Sequence, residues 1–390
     1  MSETLWLNHP GFARSNYPFA ELLSLAHAGA ARDALVACPA YAVTPMRDLP
    51  DVAARAGVAR VLYKDEGGRF GLGSFKGLGG AYAVARLLAA HVRAATGEPA
   101  SPADLVGGRW RALTADVTVA CATDGNHGRS VAAGARRFGA RCRIFLHAEV
   151  SQGREDAIAA FGADIVRVPG TYDDAVRAAA LAAKREGLHL VSDTSWPGYE
   201  DVPADVMRGY GVMMLEAGEQ LEVPPTHAFI QGGVGGLAAA VCAHLWEAHG
   251  PSGAIVVVVE PERADCLFQS ALAGAPRPSS GDLRTIMSGL ACGEVSWLAW
   301  RVLAAGAHGF MRIADIAAIE GMRTLARPGR GRPGIVAGDS ATAGLAGLLI
   351  AAADAAMRAA LRLDETSRVL LIGSEGATDP LLYAELVAGA

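Results

Sequence analysis

The stretch VTVACATDGNHGRSVAAGARRFG, residues 117–139, joins a short run of β-branched residues to an alanine-rich segment through a turn that contains two glycines. The first part is typical of a strand and the last of a helix. Two similar units follow, RCRIFLHA before REDAIAAFG and ADIVRV before YDDAVRAAALAAKREG. Because strands alternate with helices, the sequence predicts an α/β fold with a mostly parallel sheet covered on both faces.

The same pattern recurs later in the chain, in HAFIQGGVGGLAAAVCAHLWEAHG, AIVVVVEPE and RVLLIGSEG. A chain of 390 residues exceeds the usual size of a single core. The three compact units between about residues 117 and 192 are the natural candidate for a smaller lobe. We therefore expect a large domain made of residues 1–84 and 203–390, and a smaller inserted α/β domain made of residues 85–202.

Composition excludes several classes of partner. The net charge is −5 and the basic residues are scattered, so no face resembles a nucleic-acid site. The longest apolar stretch, TAGLAGLLIAAADAAM, is interrupted by Asp354 and is too short for a membrane span, which predicts a buried helix. The N-terminal residues do not read as a signal peptide, so we expect a cytoplasmic protein that acts on a small molecule, with no nucleic acid and no membrane as partner.

Six cysteines are widely spaced, without a CxxC pair or histidines at zinc spacing, so no metal site is expected. Cys266 and Cys292 leave two interpretations open. They are either a regulatory disulfide or, as a reducing compartment favours, two buried thiols.

Glycines follow predicted strands at 71–80, 124–128, 232–236 and 373–376. Such glycines let backbone N–H groups approach an anion, helped by the N-terminus of the next helix. The turn in FIQGGVGGLAAAV fits the dinucleotide pattern G-x-G-x-x-A, and Glu260 closes the next strand as a ribose partner would. Any phosphate can use such a loop, so this turn alone leaves a nicotinamide-dependent oxidoreductase as a remote alternative.

The turn in CATDGNHGRS, residues 121–130, favours a different ligand. Asn126 offers a carboxamide, while Gly125 and Gly128 allow close approach to the free N–H groups at the start of a helix. An amino acid bound by its carboxylate, beside a cofactor with a phenolic oxygen, would use this second pocket. A dinucleotide enzyme has no need of it.

Lys76 lies in GLGSFKGLGG, among five glycines. A lysine acts as a nucleophile only when it is neutral, and Schiff-base formation with pyridoxal phosphate (PLP) is the commonest use of such a lysine. The alternative is a surface lysine at the start of a helix. The phosphate-type loop, the Asn-Gly loop and the GSEG turn elsewhere in the chain favour the cofactor.

The chain resembles the fold type II PLP enzymes, the tryptophan synthase β-like group, through nearly its whole length. SFK and the Asn-Gly loop are shared by the group, whereas TDGNHG, DTSWPGYED and GLACGE resemble the diaminopropionate ammonia-lyase family. The resemblance implies two lobes, each with a mostly parallel sheet flanked by helices, and a homodimer. It also implies PLP-dependent α,β-elimination of ammonia from 2,3-diaminopropionate to pyruvate and ammonia. A serine/threonine-type dehydratase, or another PLP enzyme of β-elimination or β-replacement, is the alternative.

The resemblance also implies roles for individual residues. Lys76 is implied to bond the cofactor with Phe75 beside it, and Asn126 to contact the cofactor's ring oxygen. Ser374 is implied to face the pyridine nitrogen, although Ser340 offers another hydroxyl. The implied phosphate loop comprises Gly232, Gly233, Val234, Gly235 and Gly236.

Two aspartates are implied as catalytic bases, Asp124 for D-substrate and Asp193 for L-substrate. Nearby carboxylates also suit a cationic leaving group. Each has a structural alternative, because Asp124 could cap the following helix and Asp193 could cap a turn. The predicted substrate contacts are Ser74, Thr123, Gly125, His127 and Glu294. Two of these residues also have a structural alternative. Glu294 could only satisfy backbone donors, and His127 could brace the loop.

The chain departs from the family at a few positions. The family usually reads FGLNAFK where this chain reads FGLGSFK, so Gly73 replaces Asn and Ser74 replaces Ala. The lost carboxamide would open space for a larger β-substituent or remove a substrate contact. Gly236 stands where a serine is expected, and Ala377 also lacks a polar side chain.

Overall fold

The computed structural model describes residues 4–8, 12–123, 125–329 and 332–389. Its strands form one seven-stranded and one four-stranded sheet. Five adjacent strands of the larger sheet are parallel, and an antiparallel strand closes each edge. Across this sheet the order is β1 (Leu5–Leu7), β10 (Gly309–Ile313), β9 (Ile255–Pro261), β8 (His227–Gln231), β11 (Arg368–Gly373), β3 (Arg60–Asp65) and β2 (Met46–Asp48).

The smaller sheet is parallel throughout and is drawn from one continuous stretch of chain. Its order is β6 (Asp164–Val168), β5 (Arg141–His147), β4 (Thr118–Thr123) and β7 (His189–Leu190). All four strands fall inside the predicted smaller domain. The boundaries of that domain, after residues 84 and 202, stay a prediction.

Helices cover both sheets. Those of the first half of the chain are α1 (Leu25–Leu35), α2 (Pro50–Ala56), α3 (Lys76–Thr96), α4 (Pro102–Val106), α5 (Arg111–Thr114), α6 (Asn126–Phe138), α7 (Gln152–Ala159) and α8 (Tyr172–Glu186). Those of the second half are α9 (Asp201–Gln220), α10 (Gly236–His249), α11 (Cys266–Ala273), α12 (Trp297–Gly306), α13 (Asp315–Ala326), α14 (Ala343–Ala353), α15 (Ala355–Ala360) and α16 (Pro380–Ala388).

Alternate residues of β9 show why the run VVVV is uniformly apolar. Val256 and Val258 join the core that contains α3, α9 and α10. Val257 and Val259 join the opposite core, which contains α13 and α14. Because a strand presents successive side chains to opposite faces, a strand buried on both faces needs apolar residues at every position. The α/β class and the parallel sheets flanked by helices are thus confirmed.

The long apolar stretch that begins at Thr342 forms two helices instead of one: α14, which is largely buried, and α15, of which only Met357 is buried. Asp354 separates them, and its carboxylate accepts a hydrogen bond from the N–H of Met357 at 2.8 Å, which caps α15. Within the described ranges, no helix has the length and apolarity needed to cross a bilayer.

Candidate active site

The glycine turns gather at the carboxyl ends of parallel strands. β3, β11 and β8 are neighbours in the larger sheet, and the segments after them lead to Lys76, Ser374 and the loop 232–236. The turn that follows β4 of the smaller sheet faces the same space. Ligands of open α/β sheets bind at this edge. The cavity there is lined by Phe75, Lys76, Thr123, Asn126, His127, Tyr172, Asp193, Tyr210, Gln231, Gly233, Val234, Gly235, Gly236, Leu237, Gly289, Leu290, Cys292, Ser340, Ser374 and Glu375.

Lys76 is the first residue of α3, and its position is fixed by a short backbone pairing with the segment after β11. The N–H of Phe75 donates to the carbonyl of Ser374, and the N–H of Gly376 donates to the carbonyl of Gly73, both at 2.9 Å. Ser74 and Glu375 form an antiparallel bridge between these two bonds. This pairing brings the lysine and Ser374 to one end of the cavity.

The Lys76 ammonium is ion-paired with the carboxylate of Asp193. The hydroxyl of Tyr172, at the start of α8, donates to the other oxygen of that carboxylate at 3.0 Å. The ammonium also lies 5.5 Å from the centre of the Phe75 ring and 6.0 Å from that of Tyr210. One carboxylate thus holds the lysine between two aromatic rings.

Burial by itself would raise the pKa of Asp193. The positive charge of Lys76 lowers this pKa and is the strongest of the effects that oppose burial. His127 and the hydrogen bonds from Lys76 and Tyr172 act in the same direction, so the pKa of this carboxyl lies well below its usual range. Asp193 is therefore ionised at neutral pH and can accept a proton once the lysine is engaged elsewhere.

The turn after β4 is held by the side chain of Thr123. Its hydroxyl accepts hydrogen bonds from the N–H groups of Gly125 at 2.9 Å and Gly128 at 3.0 Å. The ring Nε2 of His127 lies 2.8 Å from the carbonyl oxygen of Val191. These contacts brace the loop and leave Asn126, the first residue of α6, at the cavity wall, where its Nδ2 donates to Glu375.

The loop after β8 forms a cradle of backbone donors. Among the described residues, no acceptor receives the N–H groups of residues 233–237, which end in the first turn of α10. Gly235 has a φ of +102°. A Cβ there would lie 3.1 Å from the methyl of Ala299, so glycine is required both by conformation and by space. Free N–H groups at a helix N-terminus fit a phosphate.

The structure separates the two hydroxyls that the sequence left open. The Ser340 hydroxyl donates to Asp339 at 2.8 Å and accepts from the N–H of Gly289 at 3.1 Å. The Ser374 hydroxyl makes no hydrogen bond to any described residue. Ser374 is therefore the hydroxyl available to a ligand.

Several predicted contacts do not line the cavity. Ser74 is buried, and its hydroxyl has no partner among the described residues. Gly232 lies beside the cavity, where its N–H donates to the carbonyl of Val259 at 2.8 Å, and Gly125 lies behind it against Arg154. The side chain of Glu294 is 68% exposed and lies 3.7 Å from Arg177, so this structure does not bring it to the cavity. Asp124 falls outside the described residues.

Glu260 does not offer its carboxylate to a ribose. It is fully buried and accepts the N–H groups of Leu267 at 2.8 Å and Phe268 at 2.7 Å, which caps α11. Burial raises the pKa of this carboxyl well above its usual range. The feature that supported a nicotinamide cofactor is thus a helix cap. Cys266 and Cys292 are both buried, and neither is in a disulfide in this structure.

The family departure at Gly73 faces away from the cavity. Its φ is +78°, and a Cβ there would lie 3.5 Å from Nη1 of Arg129 and 3.7 Å from the methyl of Thr378. Space opened by this glycine therefore lies against α6. Neither Gly73 nor Ser74 is part of the cavity wall.

Sequence reasoning missed four polar residues of the wall, namely Tyr172, Tyr210, Gln231 and Glu375. Tyr172 follows the capping Thr171, and Tyr210 lies in an apolar helical run, so neither carried a signal. Glu375 belongs to the GSEG turn noted in the sequence and could have been found there.

The residues present fit PLP. The free N–H groups suit its phosphate, the unpartnered Ser374 hydroxyl suits a ring nitrogen, and Asn126 and Lys76 line the same cavity.

Comparison with known proteins agrees with this fit. The model of the family described as pyridoxal-phosphate dependent enzyme matches residues 37–375. Diaminopropionate ammonia-lyase of Escherichia coli strain K12 is 38% identical over 356 residues, which cover 89% of this chain and 87% of the relative. The protein of the same name from Salmonella typhimurium strain LT2 is 37% identical over 391 residues and 96% of each chain. A crystal structure of the Escherichia coli enzyme, in complex with an aminoacrylate-PLP azomethine reaction intermediate, is similar with a TM-score of 0.88 at 35% identity, covering 99% of this chain and 97% of that one.

Proposed function

The chain belongs to the pyridoxal-phosphate dependent enzyme family, and from that premise we propose that it is a lyase that eliminates ammonia from 2,3-diaminopropionate. The products are pyruvate and ammonia. The observation that carries the proposal is the ion pair of Lys76 with Asp193 in a cavity that also contains the free N–H groups of residues 233–237.

Each part of the cavity wall has a role in this proposal. Lys76 bonds the cofactor, the loop 232–236 holds its phosphate, Asn126 contacts its ring oxygen and Ser374 faces its ring nitrogen. When bound, PLP withdraws electrons from the substrate and makes the proton on Cα acidic. A hydroxyl partner, unlike a carboxylate, leaves the ring nitrogen largely unprotonated, which suits elimination better than transamination.

Asp193 takes the proton from Cα of the L-substrate. It is buried, ionised and within contact of the lysine nitrogen, so the two can exchange a proton without solvent. Tyr172 holds the carboxylate through its hydroxyl and fixes the direction of its free lone pairs. We assign the corresponding step on the D-substrate to Asp124, on family resemblance.

The charge of the cavity favours an ammonium as leaving group. Among the described residues of its wall, the carboxylates of Asp193 and Glu375 face one ammonium, that of Lys76. A substrate with a cationic β-amine would add a second cation opposite these two carboxylates, whereas the hydroxyl of serine carries no charge. The proposal therefore includes preference for diaminopropionate over hydroxy amino acids.

The remaining expectations belong to the same proposal. We infer a cytoplasmic homodimer in which residues 1–84 and 203–390 form the PLP-binding domain and residues 85–202 the smaller domain. The family resemblance supports the homodimer. The position of the whole four-stranded sheet between residues 118 and 190 supports the division.

Pyruvate formation by the purified, PLP-loaded protein tests the proposal. L- and D-diaminopropionate, serine, threonine and 3-hydroxyaspartate would be compared at equal concentration. We expect kcat/KM to be highest with a diaminopropionate isomer. Highest turnover with serine or threonine would make the protein a dehydratase, and protein that gains no visible absorbance with PLP would overturn the cofactor assignment.

A further inference from the structure

Glu375 is a buried carboxylate in the cavity wall, to which the roles above assign only a negative charge. It follows Ser374 directly, and the residue is 3% exposed. Its Oε2 accepts a hydrogen bond from Nδ2 of Asn126, and the hydroxyl of Thr378 donates to the same oxygen at 3.5 Å. The side chain thus links the segment after β11 to the first residue of α6.

The position of Glu375 is fixed from several sides. Its carbonyl accepts from the N–H of Gly338 at 3.1 Å, and its backbone pairs with Ser74. A Cβ at Gly338 would lie 2.9 Å from Oε1 of Glu375. Glycine at 338 therefore makes room for this carboxylate, and the carboxylate has little freedom to move.

An ionised carboxylate accepts hydrogen bonds and donates none, so it can bond only the NH₂ end of a carboxamide. Contact with Glu375 therefore sets which way the amide of Asn126 faces. The NH₂ group carries a second hydrogen, which stays available on the same end of the side chain. A neutral partner such as glutamine could accept from Asn126 or donate to it, and would leave both orientations open.

We propose that Glu375 is a positioning residue, which orients Asn126 toward the cofactor's ring oxygen and adds a negative charge that favours a protonated nitrogen at Lys76. This inference rests on the proposed function, since it assumes that Asn126 contacts the cofactor.

The charge effect follows from burial. Glu375 is 3% exposed and the side chain of Lys76 is 17% exposed, and both line one cavity, where a carboxylate stabilises the protonated form of a base. The other ionisable groups that face this pair stay the same when only Glu375 is changed. They are Asp193, His127, Tyr172, Tyr210 and Cys121 around Lys76, and Tyr63 of β3 on the side of Glu375.

Two substitutions separate orientation from charge. Glu375→Gln keeps the shape and an acceptor oxygen but removes the charge, whereas Glu375→Ala removes both. Glu365→Gln, at an exposed position, is the control for the loss of one carboxylate. Each protein would be titrated with PLP to obtain a dissociation constant, and the pH midpoint of the visible absorbance would be measured on the loaded protein.

We expect Glu375→Gln to lower the pH midpoint by about one unit and to weaken PLP binding only a few-fold. Glu375→Ala should show the same lower midpoint and weaken binding by about tenfold or more. Because Glu375→Gln is nearly isosteric, it keeps the test valid if Glu375→Ala fails to fold.

The inference is wrong if the midpoint of Glu375→Gln equals that of Glu365→Gln. It is also wrong if both variants at 375 bind PLP as tightly as the control. Failure of the proposed function looks different, because the unaltered protein would then lack the visible absorbance or release no pyruvate from diaminopropionate.

Discussion

Lys76 and Asp193 stand 117 residues apart in the chain and form an ion pair inside the cavity. The lysine begins α3, beyond the end of β3 in the larger sheet, and the aspartate follows β7 at the edge of the smaller sheet. Neither sheet supplies both groups. The reactive pair therefore exists only when the elements that carry the two sheets pack against each other.

Asp193→Asn tests the role of that aspartate as the base. Asparagine keeps the size of the side chain but has far lower basicity, so pyruvate formation from L-diaminopropionate should fall by about 10²- to 10⁴-fold. PLP should still bind, as shown by visible absorbance. Asp201→Asn, in the exposed first turn of α9, is the control and should keep activity near that of the unaltered protein. Equal activity of the two variants would remove Asp193 from the mechanism.

Tyr172→Phe tests how Asp193 is held. The tyrosine hydroxyl bonds the ionised carboxylate, so its loss should raise the pKa of Asp193. The acidic limb of the kcat profile should consequently move to higher pH, by up to about one unit, while activity at alkaline pH changes little. An acidic limb at the same pH as in the unaltered protein would contradict the assignment.

Two adjacent glycines of the phosphate cradle should respond in opposite ways. Gly235→Ala forces a φ of +102° on a residue with a Cβ and crowds Ala299, so PLP affinity should drop by about tenfold or more. At Gly236 a Cβ would meet its nearest neighbour, Met207, at 3.6 Å, an ordinary contact. Gly236→Ser should therefore be tolerated and bind PLP at least as tightly. Equal losses in a PLP titration of both variants would contradict the cradle.

Asp173 makes stability depend on pH. Burial and the charge of Glu294 raise the pKa of this carboxyl to about 6. The fold thus favours the protonated form of Asp173. The contribution of this carboxyl to the free energy of unfolding is fully present below pH 4 and is lost as the pH rises through 6. Asp173→Asn should increase the free energy of unfolding at pH 7.5 by no more than about 3 kcal/mol. Urea denaturation should show this difference shrinking toward pH 4, and a constant difference would contradict it.

The fold class could be predicted because short stretches of the sequence indicate individual strands and helices. The strands β4, β6 and β9 are rich in β-branched residues, and a glycine turn and a helix follow β4 and β8 directly. The break between α14 and α15 was not predicted. Asp354 was recognised as an interruption of the apolar run, but its action as a helix cap depends on which backbone N–H it faces.

The site was predictable where a residue type and a turn occur together, as at Lys76, Asn126 and the loop 232–236. It was less predictable where long-range packing decides. Glu260 sits where a ribose partner would follow the glycine loop, yet it caps α11. Tyr172 reaches Asp193 only through the packing of α8 against the loop after β7.

The most direct test of the central claim is the ratio of ammonia to pyruvate released from L-diaminopropionate by the PLP-loaded protein. Elimination of the β-amine followed by hydrolysis of the remaining α-amine gives two ammonia molecules for each pyruvate. We predict a ratio of two for the unaltered protein. The Lys76→Ala variant should form neither pyruvate nor ammonia. Pyruvate from serine with one ammonia each, and none from diaminopropionate, would contradict the account.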